Sequence, residues 1–477
     1  MITLKELAGN DRARAKTFAR KAKGRFCLIP GLGYVHFNGQ VWGRLGGNSA
    51  CGFYADVMEQ LALDISKTSE EQAEECRNVM LSIGKARATL AMCEDQPGMW
   101  IPYDEWGESP DYMAVKNGII DLKAAKLIPF SAPFSSKGRT KIQKMHLLSQ
   151  TQVNYRKNAP APVAWLTFLA EAFGHDQEVI EIVQRACGYS LTGHTGEHML
   201  FFLYGPGGTG KSTFVNILRR VSGPGYATVS PARLVVSSWR QQESVNSPHV
   251  ADLIGKRLSW VEEVSAGHYW DDAALKRLVS DDQLTASAKF KAPVTFTPTH
   301  KLWIIGNLPP VLKVVDTAMM RRLMLIDMRH SFLGHERIRD YGAQLWAAES
   351  EGILNWMVEG AKAWYEKGLG EWSKTRLGNN LQEYSAESDN IPVFCTRAFS
   401  LTAEVGSEGI LFSHALAAYK RWCTERGDTA QRMRVFYAHL REEYEEHVCE
   451  TDRRGNMLKG LVMDFKGMSN AERPDSK

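Results

Sequence analysis

Gly205-Pro206-Gly207-Gly208-Thr209-Gly210-Lys211-Ser212 stands between the apolar run Met199–Tyr204 and the stretch Thr213-Phe214-Val215-Asn216-Ile217-Leu218. The run reads as a strand and the stretch after Ser212 as a helix, so the glycines form the turn that joins them. Such a turn is a backbone nest. Glycines let successive N–H groups converge, and the helix N-terminus adds the positive end of its dipole, so the loop suits an oligophosphate. Gly205, Gly207, Gly208, Thr209, Gly210, Lys211, Ser212 and Thr213 are the expected phosphate-binding residues. Lys211 is expected to reach the β- and γ-phosphates, and the Ser212 hydroxyl to ligate Mg²⁺. A glycine-rich turn can precede any helix, but here every fixed position and both flanking elements agree. The expected ligands are ATP and Mg²⁺.

Working outward, three further apolar runs read as buried strands. They are Leu258–Val261 ending in Glu262-Glu263, Lys301–Gly306 ending in Asn307, and Leu323–Asp327 preceded by Arg321-Arg322. Strands alternating with helices around such a loop predict an α/β fold with a parallel sheet. Upstream, Trp165–Phe173 and Gln177–Cys187 have helical spacing, and Tyr34–Trp42 reads as a hairpin with a type I′ turn at Asn38-Gly39. The expected organisation is an N-terminal small domain with this hairpin at 1–78, a helical domain at 79–185 and the ATPase core at 186–335. A helical extension at 336–388, a small DNA-binding unit at 389–466 and a disordered polar tail at 467–477 complete it.

The chain has 477 residues, enough for about three domains, with 44% hydrophobic and 23% charged residues. A net charge of +4 means that nucleic-acid affinity has to come from a local basic face. The eight cysteines are scattered without C-x-x-C spacing, which argues against a zinc knuckle and suits a reducing cytoplasm. The polar, basic residues Met1 to Arg20 do not read as a signal peptide, and no apolar stretch reaches membrane-spanning length. The expected location is a cytoplasm, that of a bacterial host, with no membrane partner. The thirteen histidines show no ligand spacing.

Glu262-Glu263 has the form of a Walker B site: one carboxylate for the Mg²⁺ shell, the next to polarise the attacking water. A solvated acidic pair is the plain alternative. Asn307 is placed to hydrogen-bond the γ-phosphate or the water, although an asparagine before Leu308-Pro309-Pro310 also suits a turn. Arg321 and Arg322 are candidates for an arginine that reaches a neighbouring subunit's site, or else a solvated basic pair. Lys289-Phe290-Lys291 reads as the basic, aromatic tip of a hairpin, suited to tracking a single strand or simply to protecting a sheet edge.

In combination these residues resemble the superfamily 3 helicases, in particular the helicase part of phage, plasmid and poxvirus primase-helicases. The resemblance extends through Gly255-Lys-Arg-Leu…Glu263, Leu275-Lys-Arg-Leu…Asp281-Asp282, Phe296-Thr-Pro-Thr-His-Lys301, Asn307 and Asp316-Thr-Ala-Met-Met-Arg321-Arg322. Upstream it takes in Val115-Lys-Asn-Gly-Ile-Ile-Asp121-Leu and Gly188-Tyr-Ser-Leu-Thr-Gly193. It implies an AAA+-like ATPase that assembles into a ring, commonly a hexamer, and moves along single-stranded DNA from 3′ to 5′. By motif position Glu263 is the base with Glu262 beside it, Asn307 is sensor 1, and Arg322, before Arg321, is the finger acting in trans. Lys289 and Lys291 then sit on the DNA-gripping hairpin. The C-terminal unit resembles a winged helix, with Arg432, Arg434, Arg441, Arg453 and Arg454 as phosphate contacts.

Two departures stand out: Trp-Val-Glu-Glu in place of a small or hydroxyl residue before the Glu, and Ser280-Asp281-Asp282 in place of Gly-Gly-Asp. No primase domain is recognised before residue 80. The leading expectation is therefore a replicative DNA helicase of a mobile element, acting on single-stranded and forked DNA and supplied by a separate primase or initiator. The alternatives are a DNA translocase and an ATP-gated, origin-binding initiator.

Overall fold

The computed structural model describes residues 10–65, 74, 81–130, 136–237, 248–264, 269–286, 293–309, 317–332, 340–388, 390–401, 409–426, 430, 433–444, 447–451, 455–459 and 461–463. The chain opens with helix α1 (Asp11–Ala22), whose Asn10 cap accepts the Ala13 N–H at 3.1 Å. Strands β1 (Phe26–Ile29), β2 (Gly33–Phe37) and β3 (Trp42–Leu45) follow as an antiparallel meander. Helices α2 (Gly47–Ile65) and α3 (Ile83–Cys93) then pack with α1 around Phe18, Tyr54, Met58 and Leu90.

The β2–β3 turn corrects the expectation. Phe37 pairs with Trp42, so four residues form the loop. Asn38 Oδ1 accepts the N–H groups of Gln40 and Val41, and of these four residues only Gly39 has a positive φ, 98°. A type I′ turn needs two successive positive φ values, so the Asn38 side chain closes a wider loop instead.

A second antiparallel sheet, β4 (Tyr112–Val115), β5 (Gly118–Asp121) and β6 (Lys126–Pro129), lies within residues 79–185. Helices α4 (Val163–Ala172) and α5 (Gln177–Tyr189) follow.

The central sheet is then laid down by β7 (Leu200–Tyr204), helix α6 (Lys211–Tyr226), β8 (Ala227–Ser230) and β9 (Leu258–Val264). A short antiparallel hairpin, β10 (Leu284–Ala286) with β11 (Val294–Phe296), precedes β12 (Lys301–Gly306) and β13 (Leu323–Asp327). The five long strands are all parallel and ordered β13-β7-β12-β9-β8. In chain order this is 5-1-4-3-2, so β7, the strand before the glycine loop, is flanked by the two formed last.

Both faces of the sheet are buried, which explains the near-continuous apolar runs. Phe201, Leu203, Trp260, Trp303 and Ile326 face α4, α5, α6 and α7 (Tyr341–Lys367). Leu200, Phe202, Val261, Ile304 and Leu325 face the upstream residues Trp42, Tyr103 and Trp106 and the β10–β11 hairpin. Helices α5 and α7 cross backbone to backbone. A Cβ on Gly188 would lie 1.9 Å from Ala361 N, and one on Gly360 would lie 2.2 Å from Gln184 O.

Helix α8 (Arg376–Ser388) lies against β13. The C-terminal unit contains α9 (Asn390–Ala398), β14 (Phe399–Leu401), β15 (Ile410–Leu411), α10 (Phe412–Arg426), α11 (Met433–Glu443), β16 (Val448–Thr451), β17 (Gly455–Leu458) and β18 (Leu461–Met463). Its sheets are ordered β15-β17-β16 and β14-β18, around Phe394, Tyr419, Trp422 and Phe436. Among the described residues no helix is long and apolar enough to cross a membrane.

Candidate active site

The glycine loop leaves β7 at the C-terminal edge of the sheet. There α/β folds place ligands, because loops and helix N-termini converge at that edge. Gly205, Gly208 and Gly210 have φ of 150°, 83° and 85°, values that L side chains rarely adopt. Space demands glycine as well: a Cβ on Gly205 would meet Met328 O at 2.3 Å, and one on Gly210 the Phe168 ring at 2.6 Å. No side chain caps α6, so the first-turn N–H groups, those of Ser212 and Thr213 included, keep the orientation that receives an anion.

Lys211 is buried, and its amine donates to Gly205 O at 2.7 Å and to Pro206 O at 2.8 Å. Burial lowers its pKa, because the charged ammonium is favoured least where water is excluded. Thr209 is also buried, and its hydroxyl donates to Pro206 O at 3.0 Å. Pro206, Gly207, Gly208 and Ser212 are exposed. The loop thus presents its middle and the Ser212 hydroxyl outward while the lysine is held beneath.

The expected end of β9 moves. The strand does not stop at Glu262-Glu263 but runs on to Val264, with a register shift against β12. Val261 pairs with Ile304 and Val264 with Gly306, so β9 spends one extra residue at the carboxylate pair. Such a bulge re-aims side chains at a strand end. Glu262 is exposed, and its Oε1 accepts from Trp260 Nε1 at 2.9 Å. Trp260 lies in the face packed by α6, and the Arg219 guanidinium sits 5.8 Å from its ring centroid. The Glu263 side chain falls outside the described residues. Asn307 follows Gly306 on the neighbouring strand and is exposed.

Arg321 and Arg322 are not brought to this edge. Leu200 N donates to Arg322 O at 2.7 Å, which puts the pair at the start of β7 and β13, the opposite edge from the loop. Arg322 Nη1 donates to Ala318 O at 2.7 Å, whereas Arg321 is exposed. Lys289, Phe290 and Lys291 lie outside the described residues, although β10 and β11 flank them as an antiparallel pair. Arg432, Arg453 and Arg454 also lie outside. Arg434 and Arg441 are exposed on α11.

Sequence reasoning missed a polar cluster at the loop's own edge. Asp327, in register with Tyr204, accepts from Arg376 Nη1 at 2.6 Å, from Asn380 Nδ2 at 2.8 Å and from Arg329. Arg376 Nε also donates to Asp176, the cap of α5, at 3.0 Å. Beyond Asp327, Met328 N donates to Tyr204 O at 2.8 Å and Phe332 N to Gly208 O at 3.0 Å, strapping the loop from one side. The only sequence signal was an aspartate closing an apolar strand. Two of its partners, Arg376 and Asn380, come from α8, far away in the chain, and Arg376 links it on to Asp176.

Comparison with known proteins adds partial likenesses. Residues 15–174 match the family described as "D5 N terminal like", and residues 203–322 match a "Family of unknown function (DUF5906)". Over 160 residues the chain is 29% identical to the L207/L206 protein of Acanthamoeba polyphaga mimivirus, named as a presumed helicase. That match covers 34% of this chain but only 16% of the viral protein. Two apo structures of the NrS-1 C-terminal region align over 65% of this chain and 77% of theirs, with 16% and 17% identity and TM-scores of 0.37 and 0.35. The glycine loop lies within the matched stretch 203–322.

Proposed function

We propose that the chain is the ATP-hydrolysing motor of a replicative DNA helicase of a phage, plasmid or related mobile element. One observation carries the reading: the loop Gly205–Ser212, the bulged carboxylates of β9 and Asn307 all occupy the C-terminal edge of neighbouring parallel strands. The AAA+-like assignment rests on this arrangement and on the 5-1-4-3-2 strand order.

In this reading the loop N–H groups and Lys211 bind the ATP phosphates, with Lys211 leaving its backbone carbonyls to do so. The residues suit a magnesium ion: an exposed hydroxyl at Ser212, an uncapped helix N-terminus and an exposed carboxylate at Glu262. Ser212 and Glu262 would hold the ion, which when bound neutralises phosphate charge. Glu263 accepts the proton of the attacking water, and Asn307 orients that water. Arg321 and Arg322, at the far edge of the sheet, serve a neighbouring copy in a ring, probed at both positions because Arg321 is the more exposed. The C-terminal helix–strand–helix–helix–hairpin unit is read as a winged helix, with Arg434 and Arg441 toward phosphates.

The test is ATP hydrolysis by the purified chain with and without single-stranded DNA, beside Lys211→Ala. DNA-stimulated hydrolysis that vanishes in the variant is the expected result. Hydrolysis indifferent to DNA would remove the helicase reading, and unwinding of forked DNA separates a helicase from a translocase.

A further inference from the structure

Helix α1 carries Arg12, Lys16 and Arg20 at four-residue spacing, followed by Lys23 at its C-cap, and all four are exposed. At 3.6 residues per turn they fall within an arc of about 80°, with the three helical cations about 6 Å apart along the axis. No carboxylate among the described residues pairs with any of them. Asp11 is taken by Arg14 and faces Lys85 at 4.0 Å, and Asp64 faces Lys21, on the other side of the helix, at 3.6 Å. The opposite face of α1, with Ala15, Phe18, Ala19 and Ala22, is buried.

Helix stability does not account for this stripe. Cations four residues apart repel each other, and Arg12 sits in the first turn, where the helix dipole disfavours positive charge. Arg20 in the last turn suits the dipole, but Arg12 and Lys16 do not. A row of unpaired cations on a rigid rod is what a regularly spaced chain of phosphates engages. A membrane surface fits less well, because a helix lying on lipid needs its apolar face free, and here that face is in the core.

We infer that the exposed face of α1 binds the phosphodiester backbone of a nucleic-acid strand, through Arg12, Lys16, Arg20 and Lys23. This deepens the nucleic-acid part of the proposed function and adds a binding surface outside the ATPase core.

The experiment measures fluorescence anisotropy of the full chain, without nucleotide, on a labelled single strand, its duplex and an RNA of equal length, across a salt series. Arg12→Glu/Lys16→Glu/Arg20→Glu is expected to weaken binding about tenfold or more at 50 mM salt. On the single strand the log–log salt slope should become shallower by about 2, at about 0.7 for each phosphate no longer neutralised. The three nucleic acids show which strand form the face prefers. Arg12→Gln/Lys16→Gln/Arg20→Gln carries the test if the glutamate variant melts early, and Arg12→Lys/Arg20→Lys should restore the slope. Unchanged affinity and slope in a folded variant would overturn the inference. So would wild-type binding to anionic vesicles but to no nucleic acid. Lys211→Ala keeps the two readings apart. If that variant and the wild type hydrolyse ATP alike while the α1 variants lose binding, the motor reading fails and this one stands. If hydrolysis is DNA-stimulated while α1 substitutions change nothing, the reverse holds.

Discussion

Trp260 Nε1 donates a hydrogen bond to Glu262 Oε1 at 2.9 Å, two residues further along β9 and at the bulge. The indole is buried and the carboxylate exposed, so the ring fixes the direction of a side chain that would otherwise sample several rotamers. Trp260→Phe keeps the packing and removes the donor. If Glu262 serves Mg²⁺, the magnesium concentration for half-maximal hydrolysis should rise about fivefold, the equivalent of about 1 kcal/mol for one hydrogen bond. The rate at saturating Mg²⁺ should barely move. A change in that rate with no magnesium effect would place Trp260 outside the site's support.

Arg376 joins Asp327 of β13 to Asp176 at the start of α5, and both guanidinium contacts are largely shielded from water. Removing one member leaves the remaining charges short of a partner in a largely buried site, and breaking such a pair costs about 3 kcal/mol. Arg376→Gln and Asp327→Asn should each lower the urea midpoint by a corresponding amount. The double variant should cost less than their sum, since both break one network. Strict additivity in the urea series would show that the contacts are energetically independent.

Gly188 and Gly360 let α5 and α7 touch along their backbones. Gly188→Ala places a methyl 1.9 Å from Ala361 N, and neither backbone can retreat as a flexible side chain could. The expected loss is about 3 kcal/mol or more, the upper part of the overpacking range, read by chemical denaturation. Gly207→Ala, with open space at its Cβ, should cost far less.

The buried Glu108 carboxyl has Arg257 Nη2 at 3.6 Å, yet desolvation outweighs the cation and raises its pKa from 4.5 to about 7. The folded state therefore holds a proton that the unfolded state has released, and stability falls as pH rises from about 4.5 through about 7, then levels off. The loss is on the order of 3 kcal/mol, at 1.36 kcal/mol per pKa unit. Glu108→Gln should flatten this part of the stability–pH curve. An unchanged slope between pH 5 and 7 would assign the dependence to other groups.

Much of the core was legible because the signals are local. Largely apolar runs of four to six residues with glycine or charge at their ends gave β7, β9, β12 and β13, and the glycine loop was marked by its own spacing. The Asn38-Gly39 turn was misread because a side chain competed with the backbone for the same N–H groups. The bulge at Glu262 was invisible because it depends on register against β12, a strand about forty residues away.

Sequence by itself determined that a strand, a glycine nest and a helix follow one another at 199–218, since φ preference, hydrophobic period and helix polarity act within a few residues. It also determined which side chains are candidates for chemistry. Tertiary structure alone decided which candidates meet: Asn307 and the Glu262 bulge share an edge with the loop, and Arg321 and Arg322 take the opposite one. It alone also built the Asp327–Arg376–Asp176 cluster from three distant segments. The physical reason is that parallel strand order and helix crossing are set by packing two buried faces at once, a constraint that no local window contains.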